Sequence, residues 1–556
     1  MSVTSARSSA DFFARSHIDA QREVWDYIVV GAGSAGCVVA SRLAENTRYR
    51  VLLLDAGRDV RSLKVSVPAA VRYLIGDPNY DWCYQSGPDA SRDGRLISWS
   101  AGRIVGGGSA INGMVFNRGL ARDYDAWVTA GCGGWSAAEV EPTFVAMENF
   151  NSTKDPARGG AGPQSVEFNR FHSNVVEPYL EACQQVGIEV VADINAFPAA
   201  GVGRAQSSTL RGRRRSTRDA YLSTRRPNLT MRTEAHATRV IIRGGHCTGV
   251  SYTHARQRRE AGASREVILC AGTFGSAQLL MVSGVGDPAI LRRCGVTPLL
   301  ALPGVGANLQ DHTGIGVSLA VSIPTITRRD QWPWRRAAHA LRWLIRGDGV
   351  AAGAAMLACG FARSVAAQGA PDLYFQMAGF GMQNAANGRL ELCDDAALTS
   401  ILSVAQPRGR GRLELVSSDA RVPLRGHLQL LADESDCSRL VDGLRLLRRI
   451  HRAPALAAIS RGERLPGEAT QSDAELRGYL RAHSGSQFHP VGTCRMGVDA
   501  DAVVDPQLRV RGVRGLRVAD ASVMPQLTSA NTNAPVIMIA ERAAQFIRAA
   551  ARSELA

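Results

Sequence analysis

A chain of 556 residues is too long for one ordinary hydrophobic core, so we expect two or more domains. Its 45% apolar composition suits a soluble globular enzyme, and no apolar run is long enough to span a bilayer. The net charge of +15 comes almost entirely from arginine, and no recognisable nucleic-acid-binding module accompanies it, so we expect no nucleic-acid partner.

Eleven cysteines are scattered along the chain without any C-x-x-C pair. Their odd number and irregular spacing favour free thiols in a reducing compartment over a disulfide framework or a zinc site, so we expect no metal. Residues 1–25 lack the continuous apolar core of a secretory signal and are predicted to form a polar arm. These features together predict a cytoplasmic protein.

The first elements have the pattern of a nucleotide-binding unit. Residues 27–30 form an apolar run typical of a buried strand, and an apparent helix follows that continues past Glu45. A second apolar strand, residues 51–54, ends on Asp55, which can accept a hydrogen bond from a ribose hydroxyl. The pattern predicts a dinucleotide site but does not decide between FAD and NAD. The turn after the first strand has the spacing G-x-G-x-x-G at Gly31, Gly33 and Gly36.

A second glycine-rich stretch covers residues 102–119. The three adjacent glycines 106–108 cannot form a stable helix interior, but they suit a backbone pressed against a flat ligand. Asn112 follows four residues later, where its amide could reach that ligand. The alternative is a flexible loop, which the flanking apolar residues disfavour.

Residues 102–112 resemble the first signature of the glucose–methanol–choline (GMC) oxidoreductases, FAD enzymes that oxidise alcohols. Residues 272–286 are similar to the second signature, and further matches occur at 303–312 and 407–415. The resemblance implies an α/β FAD-binding Rossmann-like domain with an α+β substrate domain built on an antiparallel sheet. The implied segments are 24–164, 225–312 and 482–550 for FAD, 165–224 for a lid insertion, and 313–481 for the substrate domain.

The resemblance also implies which residues bind FAD. Relatives with covalent flavin carry a histidine near the position of Asn112, so the FAD here is expected to be non-covalent. Val240 is expected to lie against the adenine. Beside the fingerprint residues, the implied set is Ser34, Ala35, Ala56, Gly57, Arg103, Gly107, Gly108, Gly113, Met114, Val115, Ala271, Asp520, Ala521, Asn531, Asn533 and Ala534.

The implied catalytic residues lie near the C-terminus. His489, in the H-P-x-G-T context of the family, would take the hydroxyl proton while flavin N5 accepts the hydride. Asn531 would orient the substrate oxygen, because an asparagine cannot act as a base. The alternative for Asn531 and Asn533 is capping of the last helix.

The resemblance places Met114, Met356 and Phe488 in the substrate pocket. Choline-oxidising relatives hold the cation with a carboxylate, whereas residues 353–361 are neutral here, with Leu357 nearest the matching place. Because a buried cation without a partner is costly, we predict a neutral primary alcohol as substrate. A non-redox lyase of the same family and an NAD-dependent dehydrogenase are the alternatives.

The middle of the chain gives coarser predictions. Strands are expected at 228–240 and 249–271, antiparallel strands at 373–377 and 413–416, and helices at 337–345 and 438–450. Tryptophans and arginines are concentrated in residues 328–346, which suits a helix on the interface of the inner membrane. The alternative is a helix that packs its tryptophans into the substrate domain. The membrane interpretation favours a quinone or a similar compound over O2 as the electron acceptor. A dye would serve as the acceptor in vitro.

Overall fold

The computed structural model describes residues 23–150, 155–196, 201–367, 369–384 and 390–553. Of the N-terminal arm predicted at 1–25, all but the last three residues lie outside this range. The α-helices are α1 Ser34–Leu43, α2 Leu63–Ser66, α3 Gly108–Ile111, α4 Ala121–Thr129, α5 Ala137–Met147, α6 Val176–Gln185, α7 Thr217–Tyr221, α8 Gly272–Val282, α9 Pro288–Arg293, α10 Pro333–Arg346, α11 Glu434–Arg452, α12 Pro454–Ala457, α13 Asp473–His483 and α14 Asn533–Ser553.

Short strands outnumber helices among the described residues. They are β1 Glu23–Val30, β2 Val51–Leu54, β3 Tyr84–Asp89, β4 Arg95–Trp99, β5 Glu148–Asn149, β6 Gln164–Ser165, β7 Glu167–Phe168, β8 Gly201–Arg204, β9 Gln206–Ser207, β10 Thr209–Leu210, β11 Arg213–Arg214, β12 Leu229–Arg232, β13 Ala235–Arg243, β14 His246–His254, β15 Gln257–Leu269, β16 Val285–Gly286, β17 Leu300–Ala301, β18 Thr313–Val321, β19 Ala358–Ala362, β20 Leu373–Ala378, β21 Met382–Asn384, β22 Leu390–Leu392, β23 Ala397–Val404, β24 Arg412–Glu414, β25 Arg425–His427, β26 Ser460–Leu465, β27 Gly485–Ser486 and β28 Leu516–Val518.

The first large sheet has the order β12-β2-β1-β15-β14-β13, and β28 also pairs with β15. The strands β12, β2, β1, β15 and β28 run parallel, and the apolar runs of β1 and β2 are buried on both faces, as a parallel sheet requires. The glycine turn leads from β1 directly into α1. A Cβ on Gly36 would lie 1.7 Å from the carbonyl oxygen of Gly31, so only glycine lets the helix pack this closely on the strand. The helix ends at Leu43, before Glu45, where the sequence pattern predicted that it continued.

The two strands predicted at 228–240 and 249–271 are four strands in the structure. Glu234 breaks the first and Ala255 with Arg256 breaks the second, each with a positive φ between 51° and 63°. A left-handed turn made by residues other than glycine or asparagine leaves little mark on the sequence, which is why these turns were missed.

The second large sheet is antiparallel, with the order β26-β18-β23-β20-β19-β8 and β27 beside β18. Side chains alternate between its faces: Phe375 and Met377 join a core with α6 and α11, while Tyr374 and Gln376 face the opposite way. The strand predicted at 373–377 and the helices predicted at 337–345 and 438–450 are therefore confirmed, by β20, α10 and α11.

The strand predicted at 413–416 forms as β24, but outside the substrate sheet. It belongs to a small four-stranded sheet with the order β24-β25-β3-β4. Leu413, Leu424 and Leu428 pack into the core of the first sheet, so the predicted substrate domain 313–481 is interrupted here. Apolar alternation reveals a strand but not the sheet that it joins, which is the reason for this error.

Candidate active site

One elongated cavity of about 580 Å³ lies between the two large sheets. We call one part the nucleotide end, defined by Gly31, Gly33, Ser34, Asp55, residues 235–237, Gly272 and Asp520. We call the other part the substrate end, defined by Met356, Gln376, Ile401, Gln487, Phe488, His489 and Asn531. Clefts of this size between elements of two sheets are typical of cofactor sites.

Two glycine loops and three helix N-termini meet at the nucleotide end. A Cβ on Gly107 would lie 2.6 Å from Cα of Gly33, so the two loops touch through their backbones. The Ser34 hydroxyl donates to Oδ1 of Asn533 over 2.9 Å, which ties the start of α1 to the start of α14. Gly272 begins α8 on the same wall. Helix N-termini that point into one cavity favour an anion such as a pyrophosphate.

Asp55 lies at the end of β2, as predicted, and lines the cavity. Its Oδ2 accepts from the backbone N–H of Ala32 over 2.6 Å and its Oδ1 from that of Gly57 over 2.7 Å. Burial raises the pKa of this carboxyl, and the two amide bonds oppose that rise. Each oxygen keeps a second lone pair for a ribose hydroxyl.

Asp520 also lines the cavity, but its oxygens are already engaged. Oδ2 accepts from the Gly272 N–H at 2.9 Å and the Ser276 hydroxyl at 2.6 Å, and Oδ1 accepts from the Ser522 N–H at 2.9 Å. Burial raises the pKa of this carboxyl. These bonds indicate that Asp520 fixes the start of α8 rather than contacting a ligand directly.

Most of the residues predicted from the motifs line this one cavity, although they come from distant parts of the chain. Val240 does not: it is 1% exposed, its N–H is bonded to the Ser283 hydroxyl, and β13 reaches the cavity through Ala235, His236 and Ala237 instead. The expectation that Val240 lies against the adenine is therefore corrected: β13 lines the cavity three to five residues earlier, at 235–237. The other predicted residues that support the wall without lining it are Gly36, Gly57, Arg103 and Ala534.

His489 is held at the substrate end by a strained local backbone. Phe488, just before it, has a φ of +61° and remains 42% exposed. The carboxylate of Asp311 accepts from the backbone N–H of His489 over 2.9 Å, from the Trp99 indole over 2.8 Å, and from the Ser486 hydroxyl. Burial raises the pKa of Asp311 to about 6. This carboxylate therefore anchors the loop that carries the histidine.

The contacts of His489 determine which of its nitrogens carries a proton. Nε2 of His312 lies 2.9 Å from the carbonyl oxygen of Ala405, which only accepts, so that nitrogen is protonated. Burial lowers the pKa of His312 to about 4, so the ring is neutral and its Nδ1 accepts. Nδ1 of His489 is 2.9 Å from that atom and must donate. Burial lowers the pKa of His489 well below its usual value, which leaves Nε2 as a free base facing the cavity.

Asn531 completes the site from the loop before α14. Its Nδ2 lies 3.0 Å from Nε2 of His489, while its Oδ1 accepts from the Tyr374 hydroxyl at 2.8 Å and from the Gln376 amide at 3.0 Å. Two donors on the oxygen fix the orientation of the carboxamide, so the NH2 group points at the histidine. The oxygen that would cap α14 is engaged by Tyr374 and Gln376 instead, which disfavours the capping alternative for this residue.

The substrate end is neutral among the residues that the structure describes. Gln487 lies over Gly314, where a Cβ would come within 1.6 Å of the glutamine Nε2. Met114 and Met356 line the cavity as predicted, whereas Leu357 does not. His312 was not predicted as a site residue, although it ends the match at 303–312. Asp311, Tyr374, Gln376 and Gln487 were not predicted either. The signal that could have revealed His312 was the histidine at the end of the 303–312 motif.

Comparisons with known proteins agree with this architecture. The family model "GMC oxidoreductase" matches residues 25–314 with its N-terminal part and 407–540 with its C-terminal part. Human mitochondrial choline dehydrogenase is 38% identical over 540 residues, covering 95% of this chain and 90% of its own. The oxygen-dependent choline dehydrogenase of Vibrio vulnificus is 35% identical over 530 residues, covering 94% of each chain. The crystal structure of pyridoxine 4-oxidase from Mesorbium loti is 30% identical with a TM-score of 0.85, covering 94% of this chain and 98% of its own.

The fold and the cavity, together with these relatives, define a flavin-dependent oxidoreductase. The chain belongs to the GMC oxidoreductases. This finding confirms the family that the motifs indicated, its α/β and antiparallel sheets, and FAD as the cofactor.

The residues present fit FAD. The lining of the cavity includes the Asp55 carboxylate, which can accept from a ribose hydroxyl, the helix N-termini and His489. A Cβ on Gly108 would meet no atom within 4 Å, so space is open beside this backbone for a flat ring. Asn112 lines the cavity, and its Oδ1 accepts from the Met114 N–H and from Arg214, which fixes the carboxamide.

Proposed function

We propose that the protein oxidises a neutral primary alcohol to the aldehyde, with FAD as hydride acceptor and His489 as the base. The observation that carries this proposal is the unprotonated Nε2 of His489, which lines the cavity and faces the Asn531 amide over 3.0 Å. When bound, FAD would supply the redox chemistry as the acceptor of the hydride. The chain supplies the proton acceptor and the orientation.

Each contact at the substrate end has a place in the reaction. The alcohol hydroxyl would donate to Nε2 of His489 and accept from Nδ2 of Asn531, so the two residues that now bond each other would hold the oxygen between them. The proton passes to Nε2 as the C–H bond breaks. His312, through Nδ1 of His489, keeps the ring in the correct tautomer and supports the imidazolium that forms.

We propose further that the substrate carries no charge. The lining residues of the substrate end that the structure describes include amides, thioethers and aromatic rings but no carboxylate. A trimethylammonium group would be buried there without a partner, which is costly. Two of the relatives named above are choline dehydrogenases, and Gln487 over Gly314 is the local feature that we expect to separate this chain from those two.

The electron acceptor is proposed to be a quinone or a similar compound, with the protein peripheral to the inner membrane on its cytoplasmic side. No helix in the described part of the chain is long and apolar enough to cross a bilayer. The alternatives are a soluble oxidase that uses O2 and a non-redox lyase that keeps FAD for its structure. FAD is proposed to be non-covalent, because the Asn112 side chain cannot bond to the ring.

One substrate panel, read twice, tests the proposal. Hexanol, benzyl alcohol and choline are each given to the purified protein, once with a dye acceptor and once with detection of hydrogen peroxide. We expect dye reduction with the neutral alcohols and a lower specificity constant for choline. One hydrogen peroxide per aldehyde would identify an oxidase, and a higher specificity constant for choline would refute the neutral substrate. After acid precipitation, yellow colour should stay in the supernatant.

A further inference from the structure

Helix α10, Pro333–Arg346, presents an apolar stripe to solvent. The exposed positions Trp334, Ala338, Leu341 and Ile345 follow the spacing i, i+4, i+7, i+11, which places them on one face of a helix. Trp334 is 61% and Ile345 73% exposed, whereas Trp343, on the opposite face, is only 2% exposed. The helix is thus amphipathic with its apolar side turned outward.

The tryptophans divide between these two faces. Trp343 donates its indole N–H to the carbonyl oxygen of Gly212 over 2.7 Å and packs against Ala351 and Ala352. Trp332 and Trp334 make contact with each other at 6.1 Å between ring centroids and stay outside. The expectation that the tryptophans pack into the substrate domain holds for Trp343 alone.

The outward stripe is accompanied by positive charge. Residues 328–348 contain six arginines and two aspartates, which leaves a net charge of +4. Arg342 is paired with Asp348, and Arg335 lies 3.5 Å from Asp330. Arg346 projects from the exposed C-terminal turn of the helix. An apolar stripe with arginines along its edge matches the acyl boundary and the anionic headgroups of a bilayer.

The stripe also lies close to the cavity. α10 packs on the short helix Val350–Ala352, which in turn packs on the short helix Pro68–Tyr73. Val71 from the latter helix and Ile75 just after it line the cavity, as do Ala355 and Met356 just after the former. A surface docked through α10 would therefore bring this edge of the cavity toward the membrane, where apolar alcohols and quinones partition.

We propose that the outward face of α10, defined by Trp334, Leu341, Ile345 and the adjoining arginines, docks the protein on an anionic lipid bilayer. This face is the surface of the peripheral membrane contact in the proposed function. The docking depends on that function only in so far as a membrane quinone is the electron acceptor. It requires no change in the fold, because the helix is already oriented for it.

Flotation of the full chain with lipid vesicles tests the inference. The vesicles are phosphatidylcholine with or without about 30 mol% phosphatidylglycerol, at about 0.05 M and about 0.5 M salt. We expect binding to anionic vesicles at low salt that weakens at high salt. The variant Trp334→Ser/Leu341→Ser/Ile345→Ser should bind at least about tenfold more weakly, because three large apolar side chains no longer enter the bilayer.

A matched control separates this face from apolar exposure in general. The variant Leu299→Ser/Val365→Ser/Val498→Ser changes three side chains that are 59%, 90% and 64% exposed on other elements, and it should bind like the wild type. Equal loss in both variants, equal binding to neutral vesicles, or no binding by the wild type would each overturn the proposal. A stripe-dependent dimer in sedimentation, with no vesicle binding, would assign the face to a second copy instead.

Dye reduction by alcohol is measured on the same samples, so that the two proposals can fail separately. The stripe variant should keep wild-type dye reduction, because none of its residues lines the cavity. Vesicle binding without any alcohol oxidation would refute the proposed function and leave the surface supported. Alcohol oxidation without vesicle binding would refute the docking surface and leave the proposed oxidation supported.

Discussion

The nucleotide end and the substrate end of the cavity are built from different materials. At the nucleotide end, backbone amides, glycine loops and helix N-termini form the wall, and Asp55 is held by two backbone N–H groups. At the substrate end, side chains hold one another, from His312, which is bonded to the Ala405 carbonyl, through His489 to Asn531 and Gln376. We therefore expect cofactor binding to depend on chain geometry, and catalysis to depend on a hydrogen-bond network. Changes at the two ends should therefore have different consequences.

The largest expected effect comes from the centre of the network. His489→Ala removes the proton acceptor and should lower turnover by about 100- to 10,000-fold, the usual contribution of a general base. FAD content should stay at the wild-type level, because no predicted nucleotide contact is lost. Turnover is measured with saturating dye and flavin by absorbance after denaturation. Near-wild-type turnover would show that another residue is the base.

Asn531→Ala should have the next largest effect. It removes the amide that is expected to donate to the substrate oxygen, and the loss of one such donor typically costs roughly 100-fold in kcat. Steady-state kinetics and FAD content together distinguish a loss of catalysis from a loss of cofactor binding. A flavin-free or unfolded variant would mean that the residue mainly supports the start of α14.

His312→Asn tests the tautomer argument at one remove from the substrate. Loss of one buried hydrogen bond costs about 1–3 kcal/mol, which corresponds to roughly 5- to 160-fold in rate. The acid limb of kcat/KM should also move, because a neutral partner of fixed orientation no longer accepts from Nδ1 of His489. A lower rate with an unchanged pH profile would indicate only a packing role.

The pH dependence of the wild type follows from the buried histidine. Burial lowers the pKa of His489 well below 6.5, so the base is already neutral at pH 7. The value of kcat/KM should therefore stay level as the pH falls to 6.5 and decrease only below that, when Nε2 takes a proton. An acid limb centred above pH 7 would contradict the burial of the base in the working enzyme.

The smallest expected effect is at the nucleotide end. Gly108→Ala should leave the apoprotein folded, since its Cβ meets no protein atom within 4 Å, but it should weaken FAD binding by occupying that space. Gly36→Ala is the matched comparison, because its Cβ would collide with the Gly31 carbonyl and destabilise the apoprotein itself. FAD titration and thermal unfolding separate the two. Equal destabilisation of both apoproteins would contradict the open space at Gly108.

This contrast also explains what could be predicted from the sequence. The glycine spacing and the strand that ends on Asp55 are local, so they were readable, and His489 and Asn531 came from motifs of the family. The partners of those two residues lie far away in the chain: His312 precedes His489 by 177 positions, and Tyr374 precedes Asn531 by 157. Only the pairing of β18, β20 and β23 brings them together, and no local pattern records that pairing.

Anaerobic mixing of the yellow protein with alcohol tests the central claim most directly. The account predicts that benzyl alcohol or hexanol bleaches the flavin absorbance, that choline does so with a lower second-order rate constant, and that His489→Ala stays yellow over the same time. A wild-type protein that keeps its flavin and remains yellow with every alcohol would contradict the account, as would one that choline bleaches fastest.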